Sequence, residues 1–164
     1  MEIINGERLV LGTCYYPEHW DESLWRDDLR RMLENGIEVI RIAEFAWSKI
    51  ERYEGVFNYD FFDRFLDLAE EMGMKVIFCT PTATPPAWLT EKYPEVLNAN
   101  MDGVLYRHGA RRHYNYNSPK YQELTRIIVE KSASHYAKHP AIIGWQIDNE
   151  LNCEKDVFYS ESDT

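Results

Sequence analysis

The sequence predicts an α/β fold built on a parallel sheet. Short apolar segments rich in β-branched residues alternate along the 164 residues with longer segments whose apolar residues recur at helical spacing. Clusters of polar and aromatic residues follow each of the predicted strands. Strands that alternate with helices along a chain form parallel sheets whose faces are covered by the helices.

The first predicted strand covers residues 9–14 and the second covers residues 37–42. Between them, Asp21 has a side chain suited to cap a helix over residues 22–34. Gly36 ends this helix, because glycine adopts the left-handed conformation at low cost.

The next strand–helix unit follows the same pattern. Asn58 is a candidate cap for a helix that runs to Met72, and its apolar residues lie on one face. Gly73 stops this helix, and the third strand covers residues 75–80.

A long irregular stretch over residues 81–117 precedes the last predicted helix. Ser118 caps that helix and Pro119 occupies its first turn, where proline is favoured. The helix runs to about Lys138, and the fourth strand covers residues 142–147.

Two architectures are compatible with this order of elements. A dinucleotide-binding open sheet is disfavoured, since the glycine-rich turn is missing after the first strand and no P-loop is present. Chemistry after every strand favours a (β/α)8 TIM barrel, whose active site is built from those loops. Such a barrel needs about 250 residues. We therefore expect residues 1–164 to be the amino-terminal half of a barrel domain, with the first four strands and about three helices.

An incomplete barrel would expose strand edges and part of its apolar interior, which promotes association. We expect the 164-residue chain alone not to be a stable monomer. Residues at or beside four strand positions would face the incomplete core: Val10, Ile40, Ile77 and Ile147.

Charge and hydropathy exclude several classes of partner. The formal net charge of −10 argues against nucleic acid and anionic membranes. No apolar run approaches the roughly 20 residues of a membrane span. The first residues are acidic and do not resemble a signal peptide, so we expect a cytoplasmic protein.

The three cysteines, Cys14, Cys79 and Cys153, are odd in number and widely spaced. This pattern argues against a disulfide framework and against a CxxC-type metal site. Cys14 and Cys79 lie in apolar strand contexts, where we expect them to be buried as small apolar side chains.

Functional residue types concentrate after the strands. Each group has a structural alternative: Arg41 and Glu44 could form an ion pair, and the tryptophans could pack in the core. Together, however, they place polar, charged and aromatic groups at one end of one sheet, which predicts an active site there. The residues are Tyr15, Tyr16, Glu18 and His19 after the first strand, Arg41, Glu44, Phe45 and Trp47 after the second, residues 80–86 and Trp88 after the third, and Asn149 and Glu150 after the fourth.

The Asn149-Glu150 pair suits a retaining glycosidase. A glutamate in this position can protonate the glycosidic oxygen, and the neighbouring asparagine can hydrogen-bond the sugar 2-hydroxyl, a contact that strengthens in the transition state. Alone, the pair is more often a strand end with a solvated acid, so its weight comes from the other strand ends.

Five motifs in order make the chain similar to the amino-terminal barrel half of glycoside hydrolase family 42 β-galactosidases. The resemblance implies a retaining β-galactosidase on a (β/α)8 barrel, usually within a trimer and without a cofactor. It implies Glu150 as acid/base, Asn149 as the ligand of the 2-hydroxyl and Arg111 in the galactose site. The motifs are GTCYYPEHW from Gly12, RIAEFAW from Arg41, TATPPAW from Thr82, GARRHY from Gly109 and GWQIDNE from Gly144.

The chain departs from the family pattern in two respects. Some members carry a structural zinc held by four cysteines, but Asn115 occupies the first of these positions and Cys153 lies too early for another. We therefore expect no metal site of this kind. The family's nucleophile is a glutamate on a later strand, beyond Thr164, and the resemblance assigns that role neither to Glu18 nor to Glu44. The isolated chain should be inactive.

Two alternatives remain open. Another retaining barrel glycosidase, such as a β-glucosidase, mannanase or xylanase, would share the Asn-Glu pair, although the Tyr-Tyr-Pro-Glu-His-Trp motif favours the β-galactosidases. A non-catalytic sugar-binding domain that ends naturally at Thr164 is the other alternative.

Overall fold

A computed structural model describes residues 9–109, 113–151 and 157–163. The strands, in chain order, are β1 (Leu11–Cys14), β2 (Ile37–Ile42), β3 (Glu51–Tyr53), β4 (Val56–Phe57), β5 (Lys75–Cys79) and β6 (Ile142–Gln146). The helices are α1 (Trp25–Glu34), α2 (Trp47–Ile50), α3 (Asp60–Met72), α4 (Ala87–Lys92) and α5 (Pro119–Tyr136).

The main sheet is parallel and has the order β1-β2-β5-β6. Its strands therefore follow one another in space as they do along the chain, as successive strands of a (β/α)8 barrel do. The described residues form a partial barrel of four strands, which confirms the predicted fold class. A short antiparallel hairpin, β3-β4, stands apart from the sheet.

Helices α1, α3 and α5 cover one face of the sheet. Leu29 of α1 and Phe62 of α3 are fully buried against it, as is Ile128 of α5. Phe78 of β5 has ring contacts with Phe62 and also with two aromatic residues nearer the end of the chain, Tyr136 and Trp145. We call this the helix-covered face and define it by four fully buried sheet residues: Ile40, Ile42, Val76 and Phe78.

The predicted helix ends agree with the structure to within a few residues. Asp21 accepts a hydrogen bond from the Ser23 N–H at 2.9 Å, although it caps a short 3-10 turn that precedes α1. Gly73 adopts φ of 79° at the end of α3. Asn58 accepts from the Asp60 N–H at 2.9 Å, and Ser118 accepts from the Tyr121 N–H at 3.4 Å.

Three small elements were not predicted: α2, the β3-β4 hairpin and α4. Each is too short to show a hydrophobic period, so the pattern of the sequence could not reveal them. The hairpin is held by Glu51, which accepts hydrogen bonds from the Trp47 indole N–H at 2.7 Å and the Gly55 N–H at 2.8 Å.

The opposite face of the sheet and its edges are more open. All four residues of β1 are exposed, and Ile147 is 73% exposed. At the second of the positions expected to face the incomplete core, Ile40 itself is fully buried on the helix-covered face and its strand neighbour Arg41 takes the open face. Cys79 is buried as predicted, whereas Cys14 is exposed because it lies on the edge strand β1.

Candidate active site

Side chains from three strand ends meet at the carboxyl end of the sheet. The Tyr16 hydroxyl donates to Glu44 Oε1 at 2.9 Å. Arg41 Nη2 lies 2.6 Å from Glu44 Oε2, and Arg41 Nη1 donates to Gln146 Oε1 at 2.6 Å. The loop after β1, strand β2 and strand β6 are thus connected by one network, as the clustering of polar residues after the strands predicts.

Glu44 is committed within this network. The residue is only 2% exposed; its Oε1 accepts from the Tyr16 hydroxyl and its Oε2 forms an ion pair with Arg41. Burial, together with the hydrogen bond to Glu44, raises the pKa of Tyr16 to about 12. Burial is the largest single influence on Arg41 and works against its charge, but the negative charge of Glu44 and smaller contributions from Cys14, Cys79 and Tyr16 together raise the pKa of the guanidinium. The sequence alternative of an Arg41–Glu44 ion pair is therefore correct.

Asp148 organises the turn that follows β6. Its backbone N–H donates to Thr80 Oγ1 at 2.7 Å, and its carboxylate accepts from the Thr82 hydroxyl at 2.7 Å. The carboxylate also accepts from the Asn149 N–H at 2.6 Å. Asp148 is 7% exposed, so these hydrogen bonds are well shielded from water and hold the turn firmly to the loop after β5.

Asn149 and Glu150 lie in this turn, at the carboxyl end of the fourth sheet strand, as the sequence predicts. Asn149 is partly buried and its Oδ1 accepts from Gln146 Nε2 at 3.3 Å. Glu150 is exposed. Asp148 and Glu150 adopt φ of 55° and 47° on either side of Asn149. Such left-handed conformations are costly for residues other than glycine and cluster at functional sites.

A pocket of about 520 Å³ opens beside Asn149. One wall is apolar and contains Phe45, Pro85 and Pro86, whereas Asn149 and His113 contribute polar groups. A wall of this mixed character suits a ligand with one apolar face and hydroxyl groups at its rim. The full lining is Phe45, Ser48, Ala83, Thr84, Pro85, Pro86, Ala87, His108, Gly109, His113 and Asn149.

The two tryptophans predicted near the site have structural roles. Trp47 is fully buried, contacts the Tyr121 ring and donates its indole N–H to Glu51. The Trp88 indole N–H donates to the Glu51 carbonyl oxygen at 3.0 Å. Neither residue lines the pocket, so for Trp47 and Trp88 the packing alternative is correct, and Phe45 supplies the aromatic wall instead.

Glu18 carries a carboxylate that burial disfavours. Both of its oxygens are buried and have no hydrogen-bond partner among the residues that the structure describes. Desolvation raises the pKa of this carboxyl, and the polar backbone N–H of Glu18 itself and the nearby charges of His19 and Lys49 only partly oppose the effect. Glu18 therefore tends to hold its proton more strongly than a solvated glutamate does.

Arg111 and Cys153 lie outside the described residues, so their predicted places cannot be compared with the structure. Asn115 occupies the position at which some members of the family that the sequence resembles have their first zinc-binding cysteine. It is fully buried. Its Nδ2 donates to Asp163 Oδ2 at 2.6 Å and also to the Ser160 hydroxyl. This amide therefore holds residues 157–163 against the start of α5, and the absence of zinc stays a prediction.

One group of described residues, Asp67, Glu70 and His139, could bring three ligand atoms together, but both acids are exposed and the group lies away from the strand ends named above. Within the described ranges, none of the helices combines the length and the apolar character that a membrane span needs. The expected cytoplasmic location stays a prediction.

Sequence reasoning named most of the residues at this site but missed how they are connected. It did not predict that Gln146 would contact Arg41, nor that Asp148 would bind both threonines of the loop after β5. A signal for these contacts was present in the sequence. Polar residues alternate in Gln-Ile-Asp at the end of β6 and in Thr-Pro-Thr at the end of β5. Adjacent parallel strands bring such ends together.

Several known proteins are similar to this chain in sequence. A β-galactosidase from Thermus sp. is 45% identical over 148 residues, and β-galactosidase Bga from Halorubrum lacusprofundi is 43% identical over 147 residues. Each alignment covers 90% of this chain, but only 23% and 21% of the respective relative. The chain thus spans less than a quarter of the length of these relatives.

The crystal structure of the β-galactosidase from the psychrophilic Marinomonas ef1 superimposes on the chain with a TM-score of 0.91 at 42% sequence identity. The superposition covers 94% of this chain and 24% of that one. The profile of the glycoside hydrolase family 42, described as β-galactosidase, matches residues 14–164, a range that includes every strand end described above. On these grounds, the chain belongs to the glycoside hydrolase family 42 of β-galactosidases.

Proposed function

We propose that this chain forms the amino-terminal half of the catalytic barrel of a retaining β-galactosidase. The observation that carries the proposal is the Asn149-Glu150 turn at the carboxyl end of β6, beside the pocket, in a chain of this family. The relatives named above are β-galactosidases, and active sites of (β/α)8 barrels occupy this end of the sheet.

In the proposed mechanism, Glu150 donates a proton to the glycosidic oxygen as the bond to the leaving group breaks. A second carboxylate, about 5–5.5 Å from the first in retaining enzymes, attacks the anomeric carbon from the other side. Water then releases the sugar while Glu150 acts as the base. We place this second carboxylate outside residues 1–164, since Glu44 is paired with Arg41.

Asn149 and Arg111 are proposed to hold the galactose. Asn149 lines the pocket and would hydrogen-bond the sugar 2-hydroxyl. Gly109 and His113, which flank Arg111 in the sequence, both line the same pocket. This neighbourhood supports a place for Arg111 near the sugar. Phe45 and the two prolines offer a wall for the apolar face of the ring.

The role of Glu150 is tested by Glu150→Ala in the full-length protein that carries this chain. We expect kcat/KM for alkyl β-galactosides to fall by about 10²–10⁴-fold, which is the usual contribution of general acid catalysis. The fall should be smaller for dinitrophenyl β-galactoside, because its leaving group needs little protonation. Azide should restore turnover of the latter by attacking the covalent intermediate.

The matched control is Glu130→Ala, which removes an exposed glutamate of α5 that pairs with Arg126. It should leave the kinetics of both substrates unchanged. Equal losses on the two substrates in Glu150→Ala, without azide rescue, would show that Glu150 is not the acid/base. NMR of the first-formed sugar tests retention: β-galactose must precede α-galactose.

The resemblance also supports a trimer for the full-length protein. Sedimentation at several concentrations would measure its mass directly, and a constant monomer mass would exclude this part of the proposal.

A further inference from the structure

Gln146 lies between a group that can only donate hydrogen bonds and a group that can only accept them. Arg41 Nη1 is 2.6 Å from one end of the Gln146 amide, and a guanidinium has no acceptor. The other end lies 2.8 Å from the Asp148 backbone oxygen, which has no donor. Both neighbours therefore impose the same orientation, with Oε1 toward Arg41 and Nε2 toward Asp148.

The orientation of Gln146 determines that of Asn149. Gln146 Nε2 has a second contact at 3.3 Å, to the side-chain amide of Asn149. Because Nε2 can only donate, the atom of Asn149 that faces it must be the oxygen. The Asn149 nitrogen, with its two hydrogens, is then the end of this amide that is left for a ligand in the pocket, which Asn149 lines.

Arg41 is itself held in place. Glu44 Oε2 lies 2.6 Å from its Nη2, and the same nitrogen donates to Cys14 Sγ at 3.0 Å. Glu44 also accepts from the Tyr16 hydroxyl. The guanidinium thus has contacts from β1, from the loop after β2 and from β6, and its orientation does not depend on a ligand.

We propose that Arg41 and Gln146 are positioning residues that fix the polarity of the Asn149 amide, so that Asn149 Nδ2 donates to an acceptor on carbon 2 of the sugar. The inference rests on the proposed function, in which Asn149 contacts the 2-hydroxyl. It adds a specificity rule: the site accepts an oxygen at carbon 2, and it disfavours a protonated amine there, because the amine has no lone pair to offer.

The test uses the ratio of kcat/KM for an aryl β-galactoside to that for the matching 2-amino-2-deoxygalactoside, measured in the full-length protein at a pH where the amine is protonated. Gln146→Glu keeps the shape of the side chain and removes its donor, since a carboxylate beside Arg41 stays ionised. The new carboxylate repels Asn149 Oδ1 and attracts Nδ2, so the Asn149 amide turns over. We expect the ratio to fall about tenfold, because Asn149 Oδ1 then accepts from the protonated amine, which is the effect of one hydrogen bond gained by the amino sugar in the transition state.

Asn149→Ala should lower the same ratio by a similar factor, and the double variant Gln146→Glu/Asn149→Ala should lower it no further. Gln146→Met, which removes the donor without adding a charge, should cause a smaller fall and provides a second variant if Gln146→Glu does not fold. A purely structural defect would reduce kcat/KM for both sugars equally and would leave the ratio unchanged.

Gln122→Glu is the matched control. Gln122 is an exposed residue of α5 whose Nε2 donates to the Tyr116 carbonyl oxygen at 2.9 Å, so the same chemical change occurs away from Asn149. It should not change the ratio. An unchanged ratio in Gln146→Glu and Gln146→Met, with a lowered ratio in Asn149→Ala, would overturn the positioning role alone. A wild-type protein without β-galactosidase activity would overturn the proposed function, and this inference with it.

Discussion

The same strands supply two regions with opposite physical character. Along β2, Ile40 and Ile42 point to the helices and are fully buried, whereas Arg41 between them takes part in the polar network. The helix-covered face is held by non-directional apolar packing. We call the second region the polar edge; its members are Tyr16, Arg41, Glu44, Gln146, Asp148 and Asn149.

The difference lies in what each region tolerates. Apolar packing accepts exchanges between side chains of similar volume, because the energy depends on area and shape. The hydrogen bonds of the polar edge depend on which atom donates and which accepts. A change from glutamine to glutamate keeps the shape of the side chain but replaces a donor by an acceptor, so it disrupts these hydrogen bonds. Stability should therefore respond most to volume changes on the helix-covered face, and specificity to changes of polarity at the polar edge.

The largest expected loss of stability follows from Phe78→Ala. Phe78 is fully buried among the rings of Phe62, Tyr136 and Trp145, so its removal leaves a cavity. We expect the free energy of unfolding to fall by about 3–5 kcal/mol. Denaturant titration measures it, with Phe78→Leu as the control at less than about 1.5 kcal/mol. A loss below 1 kcal/mol in Phe78→Ala would break the comparison, because it would mean that the helix-covered face is loosely packed.

A smaller loss is expected from Asp148→Ala at the polar edge. The variant leaves the Thr82 hydroxyl and the Asn149 N–H without their acceptor. Each unsatisfied buried group costs about 1–3 kcal/mol, and we expect a total near 3 kcal/mol. Thr82→Val, which removes only one of these hydrogen bonds, should cost about 1 kcal/mol.

The matching measurement is activity. Asp148→Ala should reduce kcat/KM far more than Phe78→Leu does, since it releases the turn that carries Asn149 and Glu150. Equal effects of the two variants on activity would show that the polar edge has no special role in positioning.

Asp163→Ala tests whether the hydrogen bonds of Asp163 hold residues 157–163 in place. Asp163 accepts hydrogen bonds from Asn115, Asn117 and Ser160, which join residues 157–163 to the start of α5. We expect global unfolding to change by about 1 kcal/mol. Hydrogen exchange of residues 157–163 should accelerate clearly, while that of β2 and β5 should not. Unchanged exchange in this segment would mean that other contacts hold it.

The sequence predicted the helix-covered face better than the polar edge. Helical spacing placed the apolar residues of the second predicted helix on one face, and β-branched runs identified β2 and β5, because burial leaves a periodic pattern. It also located Asn149 and Glu150 at a strand end, since motif and strand were adjacent in the chain. The contact between Arg41 and Gln146 joins positions 105 residues apart, and no local pattern records it.

Errors in the prediction have related causes. Cys14 was expected to be buried because β1 is apolar, but an edge strand has an open side whatever its composition. The position of Trp47 after β2 predicts a place at the site, yet Trp47 begins the single helical turn α2 and is fully buried in the core. In both cases three-dimensional neighbours, which the local sequence does not specify, decide the environment.

The smallest expected effect is the pH dependence of stability that Glu18 causes, and its sign is informative. Burial raises the pKa of Glu18, so the folded state binds the proton more tightly than the unfolded chain does. Its contribution is therefore most favourable at low pH and is lost as pH rises from the unfolded pKa through the folded one. Glu18→Gln cannot ionise, and we expect it to melt at a higher temperature than the wild type at pH 7 and at a similar temperature near pH 4.

Glu22→Gln provides the opposite case. The hydrogen-bonded ion pair with Arg64 lowers the pKa of Glu22, so its stabilising contribution is present above the unfolded pKa and is lost as pH falls through the folded one. This exposed glutamate should therefore give a variant that is slightly less stable than the wild type at pH 7, with the difference vanishing in acid. Thermal melts of both variants from pH 7 down to below the folded pKa of Glu22 should show deviations of opposite sign that converge in acid. Deviations of the same sign at pH 7 would mean that the Glu18 carboxylate has a partner that stabilises its charged form.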